Sequence, residues 1–561
     1  MQRQLRRIIA AGKLTSISHG FKLTFVALSK HYVSQAEYDA QQRSGCMEGT
    51  CVEDLNTILR WIMDPKAQPI FWLGGMTGTG KTSIAWSICE RVRAENTLCL
   101  GGSFFCSRSK GSAAQRDVRC VIPTVAQMLA RQSDEFAAAL AAELMEEPDL
   151  AYKQVNVQVE RLLRKPLAAL SPSPQSVVFV VDALDECGDQ PTTTTSSYNS
   201  ETHTAVGEML EALIDFSRSS ANVPVRFIVT SRLETHIRET SITDVKVTSA
   251  LHIHTIDKRR VTNDIHLYIS ETFSKASATE PWFTDSDIEI LAALADGLFI
   301  FAATATKYIL GGGRGLREKR LNDLVSLLQA KPGGFTVHPL DLMYSLILME
   351  ASRSDMVKPN ELQQILKVVA AILSTRMALS INALSMLLDL SPEDIRGCLD
   401  RLHAVVYLPE DNHDASLRTL HASFDDYLFT RAAPEIRIPA TLGHNELAHG
   451  CLRRMAQHDL DFNISRTPSS YEPNPQTDPD WISLSLRYAC LHWAHHIQSA
   501  AVQPTLDEAV NTIFRPKFLF WLEVLSVLGE VGRASGLLRI AGFAVSSASI
   551  PQSSDMLNAT R

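Results

Sequence analysis

Between about residues 65 and 255, short unbroken apolar runs alternate with stretches of helical periodicity. The runs at 70–73, 98–106, 177–181, 225–230 and 251–254 are too short for typical helices. They resemble strands buried in a parallel sheet. Between them, Val206, Met209, Leu210, Leu213 and Ile214 recur three and four apart, as on one face of a helix. This alternation predicts an α/β domain, a parallel sheet with helices on both faces.

Beyond about residue 258 the strand signal nearly vanishes. Ser286 and Glu289 have the spacing of a capping box for a helix that stops at Gly297, and Ser391-Pro392 opens another helix. The runs at 405–408 and 417–420, bridged by the turn-rich segment 410–416, predict a hairpin. Three helices followed by a hairpin outline a winged helix, and the rest to about 545 reads as helical. The polar stretches 189–204, 466–480 and 544–561 read as loops or tail. No repeat with a period of about 20–50 residues is visible.

Composition narrows this picture. Hydrophobic residues are 45% and charged residues 21% of the 561, which fits a multidomain globular chain. Lys and Arg number 54 against 62 acids, a net charge of −8, which argues against a dedicated nucleic-acid binder. Ten cysteines without a CxxC pair read as reduced thiols, and no apolar run is long enough to span a bilayer. A cytoplasmic location is the expectation. The first thirty residues hold six Lys/Arg and no acid, so mitochondrial targeting is the lesser alternative to a basic lead-in.

The candidate chemistry lies in three strand ends. Gly75, Met76, Thr77, Gly78, Thr79, Gly80, Lys81 and Thr82, followed by Ser83, fit GxxxxGK[ST] between an apolar strand and a helix-forming run. The glycines let backbone N–H groups point at phosphate oxygens, and the helix N-terminus adds partial positive charge. Lys81 supplies a charge to the β- and γ-phosphates, and the Thr82 hydroxyl a ligand to Mg²⁺. The strand 177–181 ends in Asp182, placed to hold the Mg²⁺ shell, with Asp185 or Glu186 to orient an attacking water. The strand 225–230 delivers Ser231-Arg232 to the same crevice, where Arg232 can distinguish triphosphate from diphosphate.

Further segments carry a family likeness: Cys46-Met-Glu-Gly49-Thr50, the Walker B form of residues 182–187 (DALDEC), Ser103-Phe-Phe-Cys106, Gly297-Leu-Phe299, His421-Ala-Ser423-Phe424 and Tyr488-Ala-Cys-Leu-His-Trp493. With them the chain resembles the NACHT class of signal-transduction (STAND) P-loop NTPases. The likeness is to fungal members related to the nephrocystin-3-like N-terminal region, here without the usual C-terminal repeats. The resemblance implies a lead-in (1–44), an NTPase domain (45–257), a helical subdomain (258–335), a winged helix (336–435), a C-terminal helical domain (436–545) and a tail (546–561). It also implies a switch in which ADP is held between the P-loop and a winged-helix histidine, here His421. Exchange for ATP then opens the molecule and permits self-association. Two departures bear on base preference and leave GTP open: Cys51 stands where an arginine usually follows Gly-Thr, and Gly297-Leu-Phe299 lacks the family's proline.

The expected function is therefore an ATP/ADP-dependent molecular switch with slow or no hydrolysis, in fungal signalling or self/non-self recognition, with unknown protein partners. The alternatives are a catalytic P-loop NTPase or kinase with steady turnover, and a nucleotide-stabilised interaction scaffold. No DNA is expected: the helix after Ser391 sets Glu393, Asp394 and Asp400 against Arg396 and Arg401, where a DNA-reading helix favours cations. His252 with His254, and His492 with His495 and His496, read as strand and packing residues rather than metal ligands.

Overall fold

A computed structural model describes residues 28, 31–40, 45–107, 113–187, 198–217, 223–232, 250–277, 282–329, 338–352, 361–408, 416–468, 479–501 and 504–544. The basic start, the tail and most of the three polar stretches lie outside these residues. The chain divides into two compact units, Met1–Lys331 and Pro332–Arg561.

In the first unit the strands are β1 (Ile70–Gly74), β2 (Leu98–Phe105), β3 (Ser176–Asp182), β4 (Val225–Ser231) and β5 (Leu251–Thr255). They form one parallel sheet in the order β2-β3-β4-β1-β5. The helices are α1 (Val52–Met63), α2 (Lys81–Ala94), α3 (Val121–Ala130), α4 (Asp134–Glu146) and α5 (Tyr198–Ser217). After the sheet come α6 (Lys258–Ala276), α7 (Asp285–Ala295), α8 (Phe299–Leu310) and α9 (Arg314–Gln329).

The unbroken apolar runs have their expected cause, because both faces are covered. Ile70, Trp72, Val177, Phe179, Val181, Phe227 and Val229 share a buried cluster with residues of α3, α4 and α5. The intervening Phe71, Leu73, Val178, Val180 and Ile228 are buried too, with Trp61 of α1 edge-on to Phe71. Residues 31–40, expected in the lead-in, are built onto this core. The Val33 N–H donates to Thr124 Oγ1 and the Tyr38 N–H to Ser103 Oγ, at 3.1 and 3.0 Å.

Two local expectations are corrected. The capping box of α7 is Thr284 with Asp287, not Ser286 with Glu289, because Thr284 takes the extended backbone of an N-cap and trades hydrogen bonds with Asp287. The expected loop 189–204 gives way to α5 from Tyr198, so the Ser/Thr-rich run ends inside a helix.

The second unit contains α10 (Pro339–Ser352), α11 (Glu361–Ser374), α12 (Ile381–Leu388) and α13 (Pro392–Asp400). An antiparallel pair follows, β6 (Val406–Tyr407) with β7 (Arg418–Thr419), then α14 (Ala422–Asp426). The last helices are α15 (Ala440–Ala456), α16 (Leu484–Ser499), α17 (Pro504–Val527) and α18 (Ala534–Ala544). Ser391 caps α13 as read, with Pro392 at its first position. The backbone of α15 comes very close to its neighbours. A Cβ on Gly443 would stand 2.0 Å from Ala370 O of α11, and one on Gly450 2.1 Å from Leu387 O of α12. The apolar face around Trp521 is core: Trp521 is buried and its Nε1–H donates to Cys490 O. All ten cysteines are free thiols. Among the described residues no helix is long and apolar enough to cross a membrane.

Candidate functional site

The sheet order gathers the three candidate strand ends. β4 runs between β1 and β3, with Gly74 level with Ser231, Leu73 with Thr230, and Val181 with Val229. The P-loop leaving β1, Asp182 ending β3 and Ser231-Arg232 leaving β4 therefore share one carboxyl edge, where open α/β sheets bind ligands.

The P-loop turns through left-handed backbone at Gly78 and Gly80, φ 86° and 93°, a region costly to residues with a side chain. A Cβ on Gly75 would lie 2.9 Å from Thr79 Oγ1, so the loop keeps its hollow only with glycine there. Thr79 donates from its hydroxyl to Met76 O. α2 begins at Lys81 with no side-chain cap and no acid in its first turn, so its N-terminus suits an anion. Lys81 Nζ donates to Gly75 O at 2.7 Å and Met76 O at 2.8 Å, folding its ammonium over the hollow. Burial pushes the Lys81 pKa down; Asp185 and Asp182, and more weakly Glu186, oppose this, while Arg232 adds to it. Those five charged groups therefore form one electrostatic cluster. Thr82 and Ser83 follow in the first turn of α2, both half-buried.

Asp182 is fully buried and accepts a 2.6 Å hydrogen bond from the Thr230 hydroxyl on its Oδ1. Asp185 is also buried and is held by Arg232 twice: through the backbone N–H at 3.1 Å and through Nε at 3.0 Å. Glu186 shares the short turn Leu184–Glu186 and is half-buried. Arg232, expected to face a γ-phosphate, is thus paired with Asp185, one of the two acids expected to orient water. The oxygen donors of Thr82 and Asp182, beside the glycine-lined hollow, fit a hard cation such as Mg²⁺.

Two contacts here carry no sequence signature. The Ile300 N–H, one of the first-turn donors of α8, bonds to Gly78 O at 3.2 Å, and a Cβ on Gly78 would press on Ile300 Cγ2 at 2.4 Å. A Cβ on Gly80 would meet the Phe299 ring at 3.5 Å, an ordinary contact. The family's proline position thus holds a residue that touches the loop directly. Cys51, in place of the usual arginine, takes a left-handed φ of 55° and donates its N–H to Asp264 of α6.

In the second unit, His421 is the N-cap of α14. Its Nδ1 accepts the Ser423 N–H at 3.1 Å and lies 2.7 Å from Ser423 Oγ. A neutral ring used this way carries its proton on Nε2. The paired histidines resolve as packing. His254 bonds Asp54 at 2.7 Å, and His496 lies between His444 and the Tyr488 hydroxyl, at 2.9 and 2.7 Å. No group of three or more His, Cys, Asp or Glu able to hold a metal exists among the described residues.

Residues 49–232 match the family "Nephrocystin 3, N-terminal". The chain is 22% identical over 511 residues to the vegetative incompatibility protein HET-E-1 of Podospora anserina, covering 85% of this chain and 34% of that protein. It thus spans about a third of that relative's length. Among solved structures it resembles a signal transduction ATPase with numerous domains (STAND) carrying a tetratricopeptide repeat sensor, from Pyrococcus horikoshii. That match has a TM-score of 0.35 at 12% identity, over 92% of this chain and 66% of that one. A Walker-type ATPase of Pyrococcus abyssi has a TM-score of 0.30 at 14% identity, over 69% and 98%. Residues 49–232 thus match the nephrocystin 3 N-terminal family, on an α/β P-loop NTPase fold.

Proposed function

We propose that the chain is a nucleotide-dependent switch that binds ATP or ADP, with GTP open, and passes the state of its P-loop to the helices that follow the sheet. The observation that carries this is the hydrogen bond from Ile300 N–H of α8 to Gly78 O at the P-loop tip. A loop that reshapes around phosphates and moves Gly78 either breaks this bond or carries the first turn of α8 with it. When bound, Mg²⁺ would supply charge neutralisation at the β- and γ-phosphates, held by Thr82 and Asp182. Lys81 would exchange its bonds to Gly75 O and Met76 O for phosphate oxygens. Arg232 and Asp185 would exchange each other for phosphate and water. The Nε2–H of His421, in the region we read as a winged helix, is the donor suited to a diphosphate. Self-association in the triphosphate state completes the proposal.

Purified protein should release a nucleoside diphosphate on denaturation, and Lys81→Ala should release none. Mass measured by light scattering should rise with a non-hydrolysable ATP analogue and not with ADP. Equal mass with both nucleotides would instead point to a scaffold. Turnover well above ~1 s⁻¹ would replace the switch by an ordinary catalytic NTPase, since enzymes commonly work at about 1–10³ s⁻¹.

A further inference from the structure

Asp182 is followed by a residue in an unusual conformation. Ala183 has φ 54° and ψ 46°, a left-handed geometry that non-glycine residues seldom adopt. Its N–H donates to Thr230 Oγ1 at 2.9 Å, and the same oxygen lies 2.6 Å from Asp182 Oδ1. A hydroxyl has one proton. Since Thr230 Oγ1 accepts the Ala183 N–H, its own proton goes to the carboxylate, which makes a short charge-assisted bond. Thr230 is fully buried on β4, level with Leu73 of β1 and one residue beyond the last pair with β3, Val181 with Val229. One hydroxyl therefore touches both the Asp182 carboxylate and the turn that leads to Asp185 and Glu186.

We infer that Thr230 is a positioning residue for divalent-cation binding: its hydroxyl orients the Asp182 carboxylate that the cation needs. The inference rests on the nucleotide–Mg²⁺ reading above. A carboxylate that has lost its orienting donor can rotate, and loss of such outer partners typically weakens metal binding about 10–100-fold. Phosphate recognition by the P-loop backbone and Lys81 does not involve Thr230 and should survive its loss.

The test is a titration of full-length protein with a fluorescent ATP analogue, first in EDTA and then with increasing Mg²⁺. Thr230→Val keeps the shape and removes the hydroxyl; Thr230→Ser restores it. The expected result for Thr230→Val is unchanged nucleotide affinity in EDTA and a half-saturating Mg²⁺ concentration raised about 10–100-fold. Thr230→Ser should return to wild type. Should Thr230→Val fail to fold, Thr230→Ala carries the same comparison, because it removes the hydroxyl without an inserted methyl. Mg²⁺ dependence identical in wild type and the hydroxyl-free variant overturns the positioning role alone. Wild type that binds nucleotide with no Mg²⁺ dependence overturns the metal reading as well, and wild type that binds no nucleotide overturns the proposed function.

Discussion

Truncating His421 removes the acceptor that caps α14 and, with it, the Nε2–H donor proposed above for a diphosphate. Losing an N-cap typically costs about 0.5–2 kcal/mol, so His421→Ala alone cannot separate the two. Asparagine is itself a good cap, and His421→Asn should keep the melting temperature near wild type. If the donor matters, both variants release ADP faster in a displacement experiment and shift toward larger assemblies. Faster release in His421→Ala only would assign the residue to the cap. At this scale the sequence was informative where chemistry dictates residue type. Phosphate needs glycines, a lysine and a hydroxyl at fixed spacing, and that spacing is plain in the sequence between β1 and α2. Thr230 was invisible because a single hydroxyl in an apolar strand looks the same whether or not it holds an aspartate. Ile300 was invisible because the bond it makes uses only its backbone.

Among the elements, α15 offers the sharpest test. Alanine normally stabilises a helix relative to glycine by up to about 1 kcal/mol. At Gly443 the sign should reverse, because a methyl there meets a backbone carbonyl of α11 at 2.0 Å. Gly443→Ala should lose about 1–3 kcal/mol by overpacking, read as a lower midpoint in urea. A neutral or raised midpoint would mean that the two helices can separate freely. The strands of the sheet and the helix after Ser391 were legible because burial on both faces, and a cap followed by proline, leave plain marks. The start of α7 was misplaced because two overlapping frames, Thr284 with Asp287 and Ser286 with Glu289, offer the same cap. The upstream frame is the one whose two members trade hydrogen bonds.

The order of strands, by contrast, is a property of the whole sheet, and no local pattern announces that β4 separates β1 from β3. Nor does the local pattern show that distant histidines meet. His444 and His495 are each pushed down to about 4 from the ordinary 6.5, first by burial and then by Arg376. Burial also takes His492 and His496 well below that value, with Arg533 and Arg376 bearing on the first and His444 and His492 on the second. The unfolded chain takes up protons near pH 6.5 that the folded protein refuses until about pH 4. Stability is therefore fully present above about 6.5 and falls as pH drops through that window, by up to about 1.4 kcal/mol per pH unit for His444 and by less for the partly exposed His495. Melting temperature should decline steadily from pH 6.5 to 5, and less steeply in His444→Asn; a flat profile would remove the argument. The placement of β4 has one more consequence. Residues two apart in a strand face the same side, so deleting a single residue from β4 would turn every residue beyond the deletion to the other face and draw Arg232 away from Asp185. Substitutions that keep this strand apolar can accumulate, whereas its length is fixed as strictly as that of the P-loop: β4 serves as a measuring rod between the two halves of the nucleotide site.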